Sequence, residues 1–402
     1  MTTGNGEGGV LDAIDGEAML RTVVRWADIN TGTGNLAGLS HMAGLLADAF
    51  ADLPGEVALV DPAPVEQIDE RGEVVAREHG RHMVLSVRPD AARRVLLTGH
   101  MDTVFPAEHP FQSVTARGDG TVNGPGTADM KGGLCVILEA LRAFEAMPEA
   151  GRLGYDVMIN SDEETGSLAS RDLIVRLAQG KYAALTYEPS ALPDGTLAHA
   201  RGGTGNYSIA ITGRSAHAGR NPGDGRNAIV AAADMVLRVK ALEAADCTVN
   251  PAKIDGGGAN NVVPDRAVVR FNIRPQSEAA MAGFEAALEP LLAEVARAHD
   301  VGVARHGGVT RPPKPVDERA QRLFDLVREC GARLGQDIGW RPTGGVCDGN
   351  NIAACGVPVV DTMGVRGGAI HSANEYMIVA SLPECAALSA LTLRELARGE
   401  RL

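Results

Sequence analysis

The chain has 402 residues and a formal net charge of −13, a length suited to about two domains and a charge that argues against a nucleic-acid partner, which would want a basic face. Its 6 cysteines are scattered with no CxxC pair, as expected for reduced thiols in a cytosolic protein rather than a disulfide framework. No stretch approaches the run of about 20 apolar residues that spans a bilayer, and Met1-Thr2-Thr3-Gly4-Asn5 opens neither the basic nor the apolar region of a signal peptide, so the expectation is a cytoplasmic protein with no membrane partner.

Apolar spacing predicts helices over Ala18–Ala27 and Leu36–Phe50, joined by a Gly/Asn/Thr loop. Strands follow at Glu56–Val60, His82–Val87 and Arg94–Thr98; the last is a nearly continuous apolar run, as in a strand covered on both faces. A helix at Lys131–Phe144, a strand at Val157–Asn160, a helix near Ser167–Leu177 and a strand at Ala183–Tyr187 continue the pattern. Strands alternating with helices mean βαβ units and a largely parallel sheet.

Near residue 200 the pattern changes. Strand Thr204–Thr212, helix Arg226–Leu242, strands Cys247–Ile254 and Ala267–Arg274, helix Ala279–His299 and strand Val301–Arg305 run β-α-β-β-α-β, the split ferredoxin-like unit. Arg311-Pro312-Pro313-Lys314-Pro315 reads as a linker, and from Glu318 helix and strand alternate again to an Ala/Leu helix from Leu382. The fold class expected is α/β: one domain over residues 1–200 and 312–402 with a mixed, mostly parallel sheet, interrupted by an inserted α+β domain over 201–311.

The chemistry gathers where strands end. Asp162-Glu163-Glu164 follows the strand ending at Asn160, and adjacent carboxylates need a positive charge to offset their repulsion, most simply a metal ion. His100 ends the Val95–Thr98 run, with Asp102 two residues on, able to bond the second ring nitrogen of His100 or orient a neighbouring carboxylate. Asp129 precedes a helix, Glu188 ends another strand, and His371 lies in a Gly-rich loop. Singly these are an acidic turn, an N-cap, a surface residue and a loop histidine. Together those readings are hard to hold, because His100, Asp129, Glu164, Glu188 and His371 all fall in loops beside predicted strands, one histidine at each end of the list and three carboxylates between.

These residues resemble the di-zinc metallopeptidase family of carboxypeptidase G, aminoacylase, acetylornithine deacetylase and succinyl-diaminopimelate desuccinylase. The matching pieces are Gly99-His100-Met101-Asp102, Gly124–Gly133, Asp162–Ser167, Tyr187-Glu188-Pro189 and His371–Glu375. The resemblance implies a phosphorylase/hydrolase-like catalytic domain with an inserted lid and dimerisation domain, and a homodimer. It implies two Zn²⁺ per subunit, with Co²⁺ or Mn²⁺ as substitutes. His100, Asp129 and Glu188 would hold one ion; Asp129, Glu164 and His371 would hold the other. Glu163 would be the general base and Asp102 the orienter of His100. In the insert, His217 matches the histidine that stabilises the oxyanion, while Asn261, Arg274 and Arg311 match substrate-contacting positions. The loop around Gly345 matches the family's Gly-rich substrate loop, with Cys347 where relatives often carry Ser or Thr. A catalytic thiol is the alternative there, opposed by the lack of a His paired to it by motif. The expected function is hydrolysis of an amide in an N-acyl amino acid or small peptide with a free α-carboxylate, glutamate carboxypeptidase-like. Aminoacylase or acetylornithine deacetylase activity is the alternative. A non-catalytic metal-binding protein is the other class, opposed by the presence of both Glu163 and His217.

Overall fold

The computed structural model describes Leu11, residues 13–399 and Leu402. The chain divides into two compact units, one of Met1–Ala63, Glu78–Ala200 and Val316–Leu402, the other of Pro64–Arg77 and Arg201–Pro315.

The first unit is built on a six-stranded sheet, in the spatial order Glu56–Val60, His82–Val87, Gly154–Asn160, Arg94–His100, Ala183–Thr186 and Val359–Val360. The first two strands are antiparallel and the last four run parallel. Alternation along the parallel strands explains why they read as unbroken apolar runs. Val95, Leu97, Val157 and Leu185 join the larger core, packed with the helices Gly16–Ala27, Leu36–Phe50, Gly132–Glu145 and Ser381–Arg398. Leu96, Met158, Ala184 and Val359 face the opposite core, shared with Arg171–Ala178 and Asp348–Ala353. A strand with helices on both sides has no solvated face to make polar.

Four parallel strands place four carboxyl ends along one edge, where functional groups collect in open α/β sheets. The register fixes their neighbours: His100 lies opposite Asn160, and Thr98 opposite Thr186. The hydroxyls of Thr98 and Thr186 are 2.8 Å apart, tying the strand that leads to His100 to the one that leads to Glu188. A small sheet of Gly367–Gly368, Tyr376–Ile378, Thr121–Asn123 and Thr115–Ala116 carries the segment with His371. Its strands are too short to show as periodicity.

The second unit has a four-stranded antiparallel sheet in the order Cys247–Gly256, Arg266–Pro275, Thr204–Thr212 and Gly302–Arg311. The helices Ala228–Lys240 and Glu278–His299 share a core with it. It also takes in a hairpin, Val65–Ile68 with Val74–Arg77. Arg270 fastens that hairpin by donating to the carbonyls of Ile68 at 3.0 Å and Asp69 at 2.8 Å. The linker expected from Arg311 is corrected by the structure: the last strand runs on to Arg311, which is 2% exposed, and Lys314 exchanges backbone hydrogen bonds with Arg201. Three prolines at 312–315 mimicked a solvated tether, but they follow a paired strand rather than replace it.

Candidate metal centre

His100, Asp129, Glu164, Glu188 and His371 converge at the carboxyl edge of the first unit's sheet. His100 Nε2 stands 3.2 Å from Asp129 Oδ1 and 3.7 Å from Glu188 Oε2. His371 Nε2 stands 3.2 Å from Asp129 Oδ2 and 3.3 Å from Glu164 Oε2. The two oxygens of Asp129 therefore face two different imidazoles. One ligand atom each from His100, Asp129 and Glu164 lie within 4.8 Å of one another, and so do those of His100, Glu163 and Glu188. Glu163 is thus beside the cluster.

Local sequence explains the convergence. Gly126 adopts φ 70° to turn the chain into the Thr127–Lys131 turn, where Asp129 is non-helical and precedes a cis peptide bond to Met130. A Cβ on Gly133 would clash with the carbonyl oxygen of Tyr187, so glycine lets this helix start approach the strand end that holds Glu188. Beyond Asn160, Asp162 accepts from the amide of Ala169 at 2.7 Å, and Ser167 donates to Asp348 at 2.6 Å. These bonds hold the acidic loop in place, with Glu163–Thr165 as a single 3₁₀ turn.

Asp102 lies between His100 and the acidic turn. His100 Nδ1 lies 3.0 Å from its carbonyl oxygen and 3.4 Å from its carboxylate. That carboxylate also accepts from the amides of Glu163 at 3.1 Å and Glu164 at 3.2 Å, and from the Thr33 hydroxyl at 2.8 Å. A backbone acceptor at Nδ1 fixes the tautomer and leaves Nε2 to face the carboxylates.

The electrostatics describe a site short of positive charge. Burial alone would lower the His100 pKa, yet the charge of Glu188 and hydrogen bonds to Asp102, Asp129 and Glu188 carry it well above the ordinary value. Hydrogen bonds to Asp129 and Glu164 raise His371 to about 10. Burial, reinforced by the charge of Asp129, pushes Glu164 up to about 7. Burial works against ionising Asp129 as well, but hydrogen bonds from His100 and His371 hold its carboxyl well below the usual range. Buried carboxylates with two imidazoles and no thiolate are the donor set of a hard or borderline divalent ion, and the residues fit a metal.

One contributor went unassigned in the sequence. Glu375 is 1% exposed, and its Oε1 accepts from the amides of Ala128 at 2.9 Å and Asp129 at 3.0 Å. Burial pushes its carboxyl up to about 7, with the Asp129 amide acting the other way. It ends the His371–Glu375 segment, and a buried charge at that position has no local signal. Cys347 is buried, and its thiol lies 3.7 Å from an oxygen of Asp361, a neighbour that disfavours a thiolate. Gly345 lies in the exposed loop before it, its amide 3.3 Å from the Thr343 hydroxyl.

The remaining predicted residues belong to the second unit. His217 is exposed, and its Nδ1 accepts from the amides of Gly219 at 3.1 Å and Arg220 at 3.2 Å. With Nδ1 accepting, the other ring nitrogen, Nε2, is the one left to act as a donor. His217 pairs with Val262, and Asn261 accepts through its carbonyl from Ala218 at 2.9 Å, so the two loops are neighbours. Arg274 is exposed, with Nε donating to Asn272 at 2.9 Å, whereas Arg311 is buried.

Residues 96–395 match the model of peptidase family M20/M25/M40. The chain belongs to this family. It is 30% identical over 398 residues to carboxypeptidase G2 of Pseudomonas sp. (strain RS-16), covering 95% of this chain and 90% of that protein. A succinyl-diaminopimelate desuccinylase of Nitrosospira multiformis is 26% identical over 333 residues, 77% of this chain and 85% of that one. The Bacillus subtilis YXEP protein, described as a dinuclear metal binding peptidase of the M20 family, shares the fold, with a TM-score of 0.67 at 12% identity over 95% of this chain and 98% of that chain. This M20 chain is therefore a hydrolase of the peptidase and amidohydrolase type. Among the described residues no helix is long and apolar enough to cross a membrane.

Proposed function

We propose that the protein is a di-zinc exopeptidase that hydrolyses the amide of an N-acyl amino acid or small peptide with a free α-carboxylate, in the manner of a glutamate carboxypeptidase. The observation that carries this reading is Asp129 facing two imidazoles at once, with Glu164 and Glu188 alongside. His100, Asp129 and Glu188 would hold one ion and Asp129, Glu164 and His371 the other, with Co²⁺ or Mn²⁺ able to substitute. When bound, such a pair lowers the pKa of a water and polarises the scissile carbonyl.

The chain's own groups do the rest. Asp102 and Glu375 orient His100 and the Asp129 turn. Glu163 is tied by its amide to Asp102 and takes the proton of the attacking water. It then delivers that proton to the departing amine. His217, its Nδ1 already accepting, offers Nε2–H to the developing oxyanion. Asn261, Arg274 and Arg311 bind the α-carboxylate, for which an arginine fork is suited, and the Gly345 loop lies along the substrate. The second unit acts as a lid and as the surface through which two copies pair. All 6 cysteines are free, which supports a cytoplasmic setting.

The deciding experiment is Glu163→Gln, assayed on N-acyl glutamates with zinc supplied. A fall in kcat of about 10²–10⁴-fold, the usual contribution of a general base, is expected with metal stoichiometry kept near two. Undiminished turnover would remove the proposed base, and a stoichiometry near zero in the wild type would remove the metal pair.

A further inference from the structure

Directly against Glu164 the first unit carries a groove of about 620 Å³ walled by the loops 33–35 and 103–108. That volume falls within the range of small-molecule sites, about 300–1,000 Å³. Thr33, Asn35, Val104, Pro106, Glu108 and Glu164 are among its lining residues.

The walls are pinned. Asn30 Nδ2 donates to the carbonyl of Phe105 at 3.0 Å and to Gln112 at 3.1 Å, and Asn35 Nδ2 donates to Asn30 Oδ1 at 2.9 Å. The Thr103 amide reaches the Thr31 carbonyl at 2.9 Å. Phe105 is buried, its ring 5.1 Å edge-on from Phe111. The loop that presents Glu108 is therefore shaped before any ligand arrives, which spares the ligand the cost of ordering it.

Charge decides what fits. Among the described residues the lining holds two carboxylates, Glu108 and Glu164, and no lysine, arginine or histidine. A substrate's α-carboxylate finds no basic side chain among those lining residues, so that arm runs elsewhere. The other arm of a molecule whose carbonyl sits at the metal centre is its acyl group. We infer that this groove receives the acyl arm and that Glu108 makes it select uncharged or amine-bearing acyl groups over anionic ones. The inference rests on the amide-hydrolase reading and narrows its substrate class. The succinyl group in the name of one relative ends in a carboxylate, which Glu108 repels.

The test compares lysyl-glutamate, norleucyl-glutamate and succinyl-glutamate as substrates of the zinc-loaded wild type, Glu108→Gln and Glu108→Lys. The wild type should favour the lysyl over the succinyl substrate in kcat/KM. Glu108→Gln should shrink that ratio by on the order of fivefold, the upper end for one exposed charge pair. Glu108→Lys should invert it. A ratio that stays constant across the three proteins overturns the inference while leaving the hydrolase intact. If none of the three substrates is turned over, the glutamate reading fails instead. Binding of lysinamide and succinamate, measured by calorimetry, then decides the groove: equal affinities in the wild type and Glu108→Lys overturn it.

Discussion

Most candidate residues of the two units sit in opposite physical surroundings, with His371 of the first exposed and Arg311 of the second buried as the exceptions. In the first unit His100, Asp129 and Asp102 are buried, and Asp102 alone has the Glu163 and Glu164 amides, the Thr33 hydroxyl and His100 around it. In the second, His217, Asn261 and Arg274 are exposed, and the His217 ring accepts from the amides of its own loop. Removing charges from water carries a penalty of several kcal/mol per ion unless they are paired. The buried cluster is thus committed to counter-charge, and its chemistry is bound up with stability. The exposed residues carry no such debt, so damage to them should reach activity alone.

Metal removal is the harshest way to break that contrast. Stripping the protein with a chelator should abolish hydrolysis, and adding back Zn²⁺, Co²⁺ or Mn²⁺ should restore it. Stability should fall as well, by about 4 kcal/mol relative to protein held at a metal concentration a thousandfold above Kd. Thermal melting with and without chelator measures this. Identical melting curves would mean that the buried cluster does not depend on a cation.

The exposed side is sharpened by His217→Ala. A lost oxyanion donor lowers kcat by about 10²–10³-fold. Stability should stay within about 0.5 kcal/mol, as for surface substitutions generally, and metal content should not change. A large loss of stability would show that His217 is structural and erase the distinction between the units.

How far the sequence could be read follows the same division. The parallel strands were legible because burial on both faces leaves long apolar runs, as in Val95-Leu96-Leu97. The five candidate ligands were legible because each stands at a strand end or loop with a recognisable neighbourhood. What escaped was what depends on partners distant in the chain. Glu375 reads as one acidic loop residue until its oxygen is seen to accept the amides of Ala128 and Asp129. The strand ending at Arg311 was hidden by the prolines after it, and the 65–77 hairpin by its brevity. Local composition records a residue's own preferences, not the amide that will reach it from across the sheet.

Glu375 gives the next test. Glu375→Ala removes the acceptor of two buried amides. An orphaned buried donor costs about 1–3 kcal/mol, and water entering the vacated space satisfies part of the pair. Glu375→Gln keeps an acceptor oxygen and should lose less. Denaturant unfolding reads the stability, and titration with Zn²⁺ reads whether the Asp129 turn still binds. If the Ala and Gln variants behave alike, the carboxylate is not what holds that turn.

The smallest effect comes from Thr33→Val, which keeps the side-chain shape but deletes the hydroxyl that donates to Asp102 at 2.8 Å. Thr33 is only half-buried, and Asp102 keeps the two amides of the acidic turn and its contact with His100. The loss should therefore be near the ordinary net value of a hydrogen bond, about 1 kcal/mol. Part of it should appear in kcat/KM, because Asp102 holds the backbone of Glu163 and a small tilt there moves the base. A variant with wild-type stability and kinetics would mean that the amides alone position Asp102. The rigidity of the buried side would then reside in the acidic turn, with the Thr31–Thr33 segment contributing only its share of the groove wall.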